Sequence, residues 1–462
     1  SDTYTQMCQA ANDMGNPELV YKFLSFANHH SAWHSRRGAA YGMAEMLNEG
    51  GVDALRPQFP NILPRLYRAR FDPDPKTSGA MKRLWQALCS GGNGHDSNAT
   101  DEAKLIREYF TPILEGTLPS LTSRHWRDRL SACLALDDLL MLGRKANEVL
   151  PFVAKLWDSS LKMADDIKEP VQKGGLRLVR TLGKLTVRLV DPTMTNKQEA
   201  STTLSTILPF FLNKGVVDAC SKTRALSMYF MLKVIKVAGP LLVPHAPDVI
   251  PVLLEYLSAL ESSDLVYLQQ HTDKLKDITA EQLEEIRLRM ANGGPLSEAM
   301  NLCLERCYVS KEAIDKLAPS LVALVQRGTG LATRAMSARV IVRLATSCPT
   351  LLKSHANSLL RPLSNGLTDR SVTVRKEFGK AIGQVARLSK RRGVEKLVER
   401  LLSDYTDSDV SDERSRHASG VALLALVTTA PSKLKRCMSN LIPIAFIARF
   451  SNETAVKDIW ES

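Results

Sequence analysis

Three histidines, His29, His30 and His34, stand close enough along the chain to suggest metal ligation, because imidazole nitrogen is a common zinc donor. The HExxH pattern is absent and no neighbouring Cys or carboxylate completes a ligand set, so ordinary surface and interhelical histidines are expected there. Cys303 and Cys307 are spaced to share one helical face, where burial as small apolar side chains accounts for them. The Gly-rich run Gly91-Gly92-Asn93-Gly94 lacks the GxxxxGK[ST] spacing by which backbone amides wrap a phosphate and a Lys neutralises it. No Ser, His and Asp occur in an order with recognisable flanks, and no carboxylate pair stands out in so charged a chain. The residue types that could do chemistry therefore assign no catalytic, metal or cofactor-binding residue. Neither a cofactor nor a small-molecule substrate is expected.

Cations do form a pattern. At about 100° per residue, Arg177, Arg180, Lys184 and Arg188 fall with Lys173 inside about 80° of arc on one helix. Leu178, Val179, Leu182, Leu185 and Leu189 take the opposite side, so the helix can pack its apolar stripe inward and show a basic stripe outward. Like charges one turn apart repel by a few tenths of a kcal/mol per pair, and a purely solvated face would normally mix signs. These five residues are the candidate face for an acidic partner, although Asp165, Asp166 and Glu169 lie near enough to neutralise part of it. A second cluster, Arg387, Lys390, Arg391, Arg392 and Lys396, crosses a helix end, where cations also favour the helix dipole.

The elements that must position these residues are helices. The chain has 462 residues, 44% hydrophobic and 24% charged, so it can bury a sizeable core. Aromatics are only 6%, beside abundant Leu, Ala and Val, which favours packed helices over sandwiches or propellers. The formal charge of +12 makes an acidic protein surface, nucleic acid or anionic lipid plausible and cannot choose among them. Eight scattered cysteines without a CxxC fit free thiols in a reducing compartment, the cytosol or nucleus. The longest apolar stretches, Gly420 to Leu426 and Leu441 to Ala448, are far short of the roughly 18 to 20 residues that span a bilayer, so no membrane span is expected. The polar start shows no secretory signal, and without a starting Met a fragment of a longer chain is the expectation.

A phrase of apolar residues around a proline recurs at Pro64, Pro112, Pro151, Pro209, Pro251, Pro319, Pro362 and Pro443. Four of the gaps between neighbours are 48, 39, 42 and 43 residues, Pro151 and Pro209 lie 58 apart, the 68 between Pro251 and Pro319 is too long for one unit, and the last two lie 81 apart, near two units. HEAT and armadillo units run about 40 to 47 residues. After each such helix comes a short turn and a basic residue opening a second amphipathic helix, near Arg36, Lys76, Arg127, Lys173, Lys222, Arg334, Arg375 and Arg414. Two helices per unit follow, and proline within the first implies a tolerated bend. Asn16-Pro17 and Thr279 with Gln282 supply helix-start signals. The fold class is all-α, a HEAT-like solenoid of antiparallel helix pairs. Repeats fill 1–261 and 296–462, separated by a polar insertion at 262–295 that carries a helix from Thr279 to Met290. An array with raw ends exposes its core, so truncation at both ends is expected.

The segments NPELVYKFLSFANHHSAWHSRRGAAYGM (Asn16 to Met43), LPRLYRARFDPDPKTSGAMKRLWQAL (Leu63 to Leu88), LTSRHWRDRLSACLALDDLL (Leu121 to Leu140) and LWDSSLKMADDIKEPVQKGGLRLVRTLGKL (Leu156 to Leu185) resemble the C-terminal part of the HEAT-repeat proteasome adaptor and scaffold family. So does the tail from VRKEFGKAIGQVARLSK (Val374 to Lys390) through LIPIAFIARF (Leu441 to Phe450). The resemblance implies a non-enzymatic solenoid that binds the proteasome, bridges its regulatory and core particles, and tethers it to compartment or transport proteins. It also implies a cytoplasmic and nuclear location with peripheral association with endoplasmic reticulum or endosomes. No family site maps residue by residue. Two other readings stand beside it. A nucleic-acid-binding HEAT solenoid would use the net positive charge. A nuclear transport receptor fits less well, because that family presents acidic surfaces and the tryptophans here do not repeat in register.

Overall fold

The computed structural model of the chain describes residues 56, 59–89, 99–142, 146–259, 280–407, 413–450 and 454–461. His29, His30, His34, the Gly91 to Gly94 run, the Asn16-Pro17 signal, Thr279 and the helix expected near Arg36 lie outside them. Among the described residues every regular element is a helix. The chain clusters into two compact units, Ser1–Ala238 and Gly239–Ser462.

The first unit contains α1 (Phe59–Ala69), α2 (Pro75–Cys89), α3 (Ala99–Glu108), α4 (Phe110–Thr117), α5 (Trp126–Met141), α6 (Val153–Ala164), α7 (Glu169–Val190), α8 (Lys197–Phe210) and α9 (Ser221–Ala238). Helices α5, α7 and α9 form one layer, with α7 packed on both neighbours, while α6 lies across α7. Trp157 is fully buried between these layers, its ring 5.0 Å from Phe211 and 5.3 Å from Phe230. Its indole N–H is satisfied by the Thr186 hydroxyl at 3.1 Å, as a buried tryptophan requires.

The second unit contains α10 (Ala246–Ala259), α11 (Ala280–Asn292), α12 (Pro295–Cys307), α13 (Lys311–Arg327), α14 (Leu331–Ser347), α15 (Ala356–Gly366), α16 (Val372–Leu388), α17 (Arg391–Asp407), α18 (Glu413–Thr429), α19 (Met438–Ala448) and α20 (Thr454–Glu461). Helices α14, α16, α18 and α20 pack in succession, and α15 and α17 back onto α16 and α18. Helix α11 realises the helix expected within the insertion. It does not hang free: it packs on α12, α14 and α16, and its buried Glu284 accepts hydrogen bonds from Ser371 (2.5 Å) and Thr373 (3.1 Å). Helix α19 leaves Ile442, Phe446 and Ile447 more than half exposed.

Six of the eight signature prolines, Pro64, Pro209, Pro251, Pro319, Pro362 and Pro443, lie inside the first helix of a pair, and Pro209 is followed by a π-helical turn at Phe211–Gly215. Pro112 falls in the first turn of α4, and Pro151 falls outside the helix interior, in a 3-10 turn that precedes α6, where its missing N–H breaks no ladder bond. Of the predicted basic residues, Arg375 turns back to donate to carbonyls six and five residues earlier, those of Asp369 and Arg370. In two other turns the same role falls two residues after the predicted Arg127 and Lys222: Arg129 donates to Ser123 and Arg124, and Arg224 to Asp218 and Ala219. The turns are tightened by aspartates that accept the amide two residues on, as Asp166 does from Lys168 at 2.8 Å and Asp369 from Ser371 at 2.9 Å. Arginines also reach forward to the next turn's aspartate, Arg129 to Asp166 at 2.7 Å and Arg334 to Asp369. The 40-residue period of charge is thus a ladder that stitches successive pairs.

One sequence expectation needs correction. Counting uninterrupted apolar runs misses Ser221–Leu242, which by length and composition alone is apolar enough to cross a membrane. Lys233 and Lys236 split the run. Within the first unit α9 buries Met228, Phe230, Met231, Val234, Ile235 and Ala238 in the helical core, and 44% of the apolar window is buried.

Candidate interaction face

Helix α7 carries the predicted basic stripe and is held by unusually close approaches. A Cβ at Gly175 would sit 2.4 Å from the Met163 carbonyl carbon and 2.6 Å from the Ala164 nitrogen, so only glycine lets α6 and α7 come this near. Gly183 makes room for the Phe230 ring from α9 in the same way. Leu178, Val179, Leu182, Leu185 and Leu189 are buried, as the wheel requires. The opposite face does carry the cations, with Lys173, Arg177, Arg180 and Lys184 exposed and Arg188 half-buried.

The five do not act as one open patch. Lys173 pairs with Glu169 one turn earlier at 2.7 Å, both side chains well exposed. The Arg177 guanidinium pairs with Asp137 of α5, whose side chain is 1% exposed while Arg177 is 62% exposed. Asp137 also accepts the Thr181 hydroxyl at 2.5 Å. Arg177 is therefore the cation of a buried carboxylate, and the helical wheel of α7 alone could not show it. Arg180 and Lys184 have no ion-pair partner among the described residues. The open part of the stripe is one turn of helix.

The second cluster is also divided by the structure. Arg387 donates to the Ala345 carbonyl at 3.2 Å, and Arg391 pairs with Glu395 at 3.0 Å. Lys390, Arg392 and Lys396 instead line a cleft of about 470 Å³ between α15 and α17, where Arg361 and Arg400 join them. Sequence reasoning missed the last two. The spacing of Arg392, Lys396 and Arg400 was the available signal, since steps of four keep residues on one face.

The thiols behave as core groups. Cys303 and Cys307 are fully buried on α12. Burial pushes the Cys303 thiol well above its ordinary range and raises Cys307 to about 12, with a smaller contribution from Cys348. Neither provides a thiolate near neutral pH. Among the described residues no three His, Cys, Asp or Glu side chains come together as metal ligands would.

Paired helices, proline inside the first helix of most pairs and turn-capping arginines on several second helices define a HEAT-type α-solenoid. Residues 242–406 match the family described as proteasome adapter and scaffold protein ECM29, HEAT-repeat domain. The chain is 35% identical to the human proteasome adapter and scaffold protein ECM29 over 96% of its own length and 23% of that protein. It is 25% identical to the Drosophila melanogaster proteasome-associated protein ECM29 homolog, covering 99% of this chain and 25% of that one. The Saccharomyces cerevisiae proteasome component ECM29 is 24% identical, with 99% and 24% covered. The chain is thus similar over its length to HEAT-repeat proteins of the ECM29 family, and it spans about a quarter of the length of the curated relatives it matches. Among solved structures, the karyopherin Kap121p bound to Pho4p aligns over 96% of this chain and 48% of that one, at 15% identity and a TM-score of 0.33. That likeness is too slight to bear on function.

Proposed function

We propose that the chain is part of a non-enzymatic adaptor that binds the proteasome, bridging or stabilising its regulatory and core particles. The observation that carries this reading is the chain-long similarity to relatives named as proteasome adapter, scaffold or component proteins. A stack of helix pairs suits such a role, because repeats offer extended surface without needing a closed active site. The non-catalytic reading rests on the relatives' naming as adapters together with the absence, in the sequence, of spaced nucleophile, phosphate-cradling or zinc-ligand motifs.

Further proposals follow from the same relationship. The protein works in the cytoplasm and nucleus, with peripheral attachment to endoplasmic reticulum or endosomes through compartment or transport proteins. The +12 charge keeps an acidic protein surface as the complementary partner. Nothing in the structure favours the nucleic-acid or transport-receptor readings over this one. Affinity capture from lysate, with the complete protein and with this 462-residue segment as separate baits, tests the proposal. Recovery of regulatory and core particle subunits by the complete protein is the expected result; their absence would overturn the reading.

A further inference from the structure

The cleft between α15 and α17 gathers five cations and no lining carboxylate. Arg361 stands on one wall and Lys390, Arg392, Lys396 and Arg400 on the other. Arg361, Lys390, Arg392 and Lys396 have no carboxylate partner among the described residues. Of the acids on α17, Glu395 is engaged by Arg391 at 3.0 Å, Asp404 stands 3.7 Å from Arg400 at one end, and the exposed Glu399 does not line the cleft. Cations crowded on one cleft repel each other, and that cost is recovered only when an anion enters.

We propose that this cleft is a docking groove for an extended acidic peptide segment of a protein partner. Three features select this occupant. First, Arg392, Lys396 and Arg400 form a rail: successive members are about 6 Å apart along the helix, and the whole runs about 12 Å. Alternate side chains of an extended peptide lie about 6.6 Å apart, so carboxylates at every second position meet successive cations of the rail. Second, the cleft floor is apolar, with Leu360 and Leu397 mostly buried, which suits the methylene stems and backbone of a peptide. Third, no aromatic side chain lines the cleft, so bases of a nucleic acid would find nothing to stack upon. Arginine supplies three of the five cations, and its planar fork matches carboxylates bidentately. The Arg400 guanidinium is already steadied across the cleft by Ser364 at 3.5 Å and Asn365 at 3.4 Å.

The groove lies inside the stretch matched to the family's HEAT-repeat domain, yet its chemistry does not depend on whether the partner is the proteasome. The test therefore uses purified components only. Fluorescence anisotropy of the whole chain is measured with a labelled peptide of about ten residues bearing Glu at alternate positions, and with its counterpart bearing Lys there. Inositol hexakisphosphate and single-stranded poly-uridine RNA serve as competitors. The alternating Glu peptide should bind, weaken as salt rises, and lose at least about tenfold in affinity on combined Arg392→Glu and Lys396→Glu exchange. Arg361→Gln, a neutral exchange on the opposite wall, should weaken it too, and serves as the readout if the double reversal disturbs folding by circular dichroism. Lys82→Glu with Lys155→Glu, both exposed in the first unit and outside the α7 stripe, should leave binding unchanged. No binding of the Glu peptide, equal loss from the Lys82 and Lys155 exchange, or an affinity unmoved by Arg361→Gln would overturn the proposal. So would tighter binding of either competitor to the same residues.

Discussion

Arg177 and its neighbours Arg180 and Lys184 lie within two turns of α7, yet charge reversal should affect them oppositely. Arg180 and Lys184 are exposed without an ion-pair partner among the described residues, so their exchange to Glu should change stability by no more than about 0.5 kcal/mol. Arg177 pairs with Asp137, a carboxylate buried in α5 whose other partner is the Thr181 hydroxyl. Removing the cation leaves a desolvated acceptor underserved, which costs about 1 to 3 kcal/mol. A Glu in its place adds repulsion of about 3 kcal/mol for charges roughly 5 Å apart at an effective dielectric near 20. Position 177 is largely exposed, so the new carboxylate swings toward water and much of that repulsion is screened. The net expectation for Arg177→Glu is a loss of about 2 to 4 kcal/mol, or a melting temperature lower by roughly 5 to 12 °C for a unit of this size. Thermal melts followed by circular dichroism read this directly. Adding Asp137→Asn should restore most of the loss, because the amide keeps an oxygen for Thr181 and removes the stranded charge. An Arg177→Glu variant that melts like wild type, or a loss that Asp137→Asn does not relieve, would refute the assigned pairing.

Gly175→Ala should destabilise the first unit by about 1 to 3 kcal/mol in urea melts despite alanine's better helix propensity, because the new methyl meets backbone of α6 rather than a side chain that can yield. Burial alone would raise Asp166, but hydrogen bonds from Arg129 and the Lys168 amide hold its carboxyl below the usual range. Its contribution is therefore present above the unfolded aspartate value near pH ~3.9 and is lost as pH falls through the lower folded value. Melting temperature should drop in that acid window for wild type and more shallowly for Asp166→Asn. Cys303 and Cys307 should resist maleimide at neutral pH until denaturant is added, while the half-buried Cys220 labels in the native protein.

The repeat architecture was legible because its signals are local and periodic. Proline at a 40-residue period and a basic residue after each turn need no knowledge of distant contacts; most of the prolines fall inside observed helices and Arg375 caps its turn, while two other caps fall on Arg129 and Arg224, two residues from the predicted positions. The direction of the α7 faces was legible for the same reason. What faces each cation was not. Asp137 precedes Arg177 by 40 residues and reaches it only because α5 packs on α7, so a wheel drawn from α7 alone counts Arg177 as open. The cleft was hidden similarly: Arg361 belongs to α15, and only the stacking of successive pairs brings it to the same cleft as Lys396 of α17. Helix α9 escaped as an apolar stretch because its lysines interrupt the run, although one side of that helix is core. Sequence period thus reports which face a residue takes, while charge compensation across a repeat interface is a property of the packed array.

The most direct measurement of the central claim is binding of the complete protein to purified proteasome, with and without this 462-residue segment, by surface-immobilised titration across salt concentrations. The adaptor reading expects saturable binding by the complete protein and a clear loss of affinity, about tenfold or more, when the segment is deleted. No binding by the complete protein, or an affinity untouched by the deletion, would contradict it.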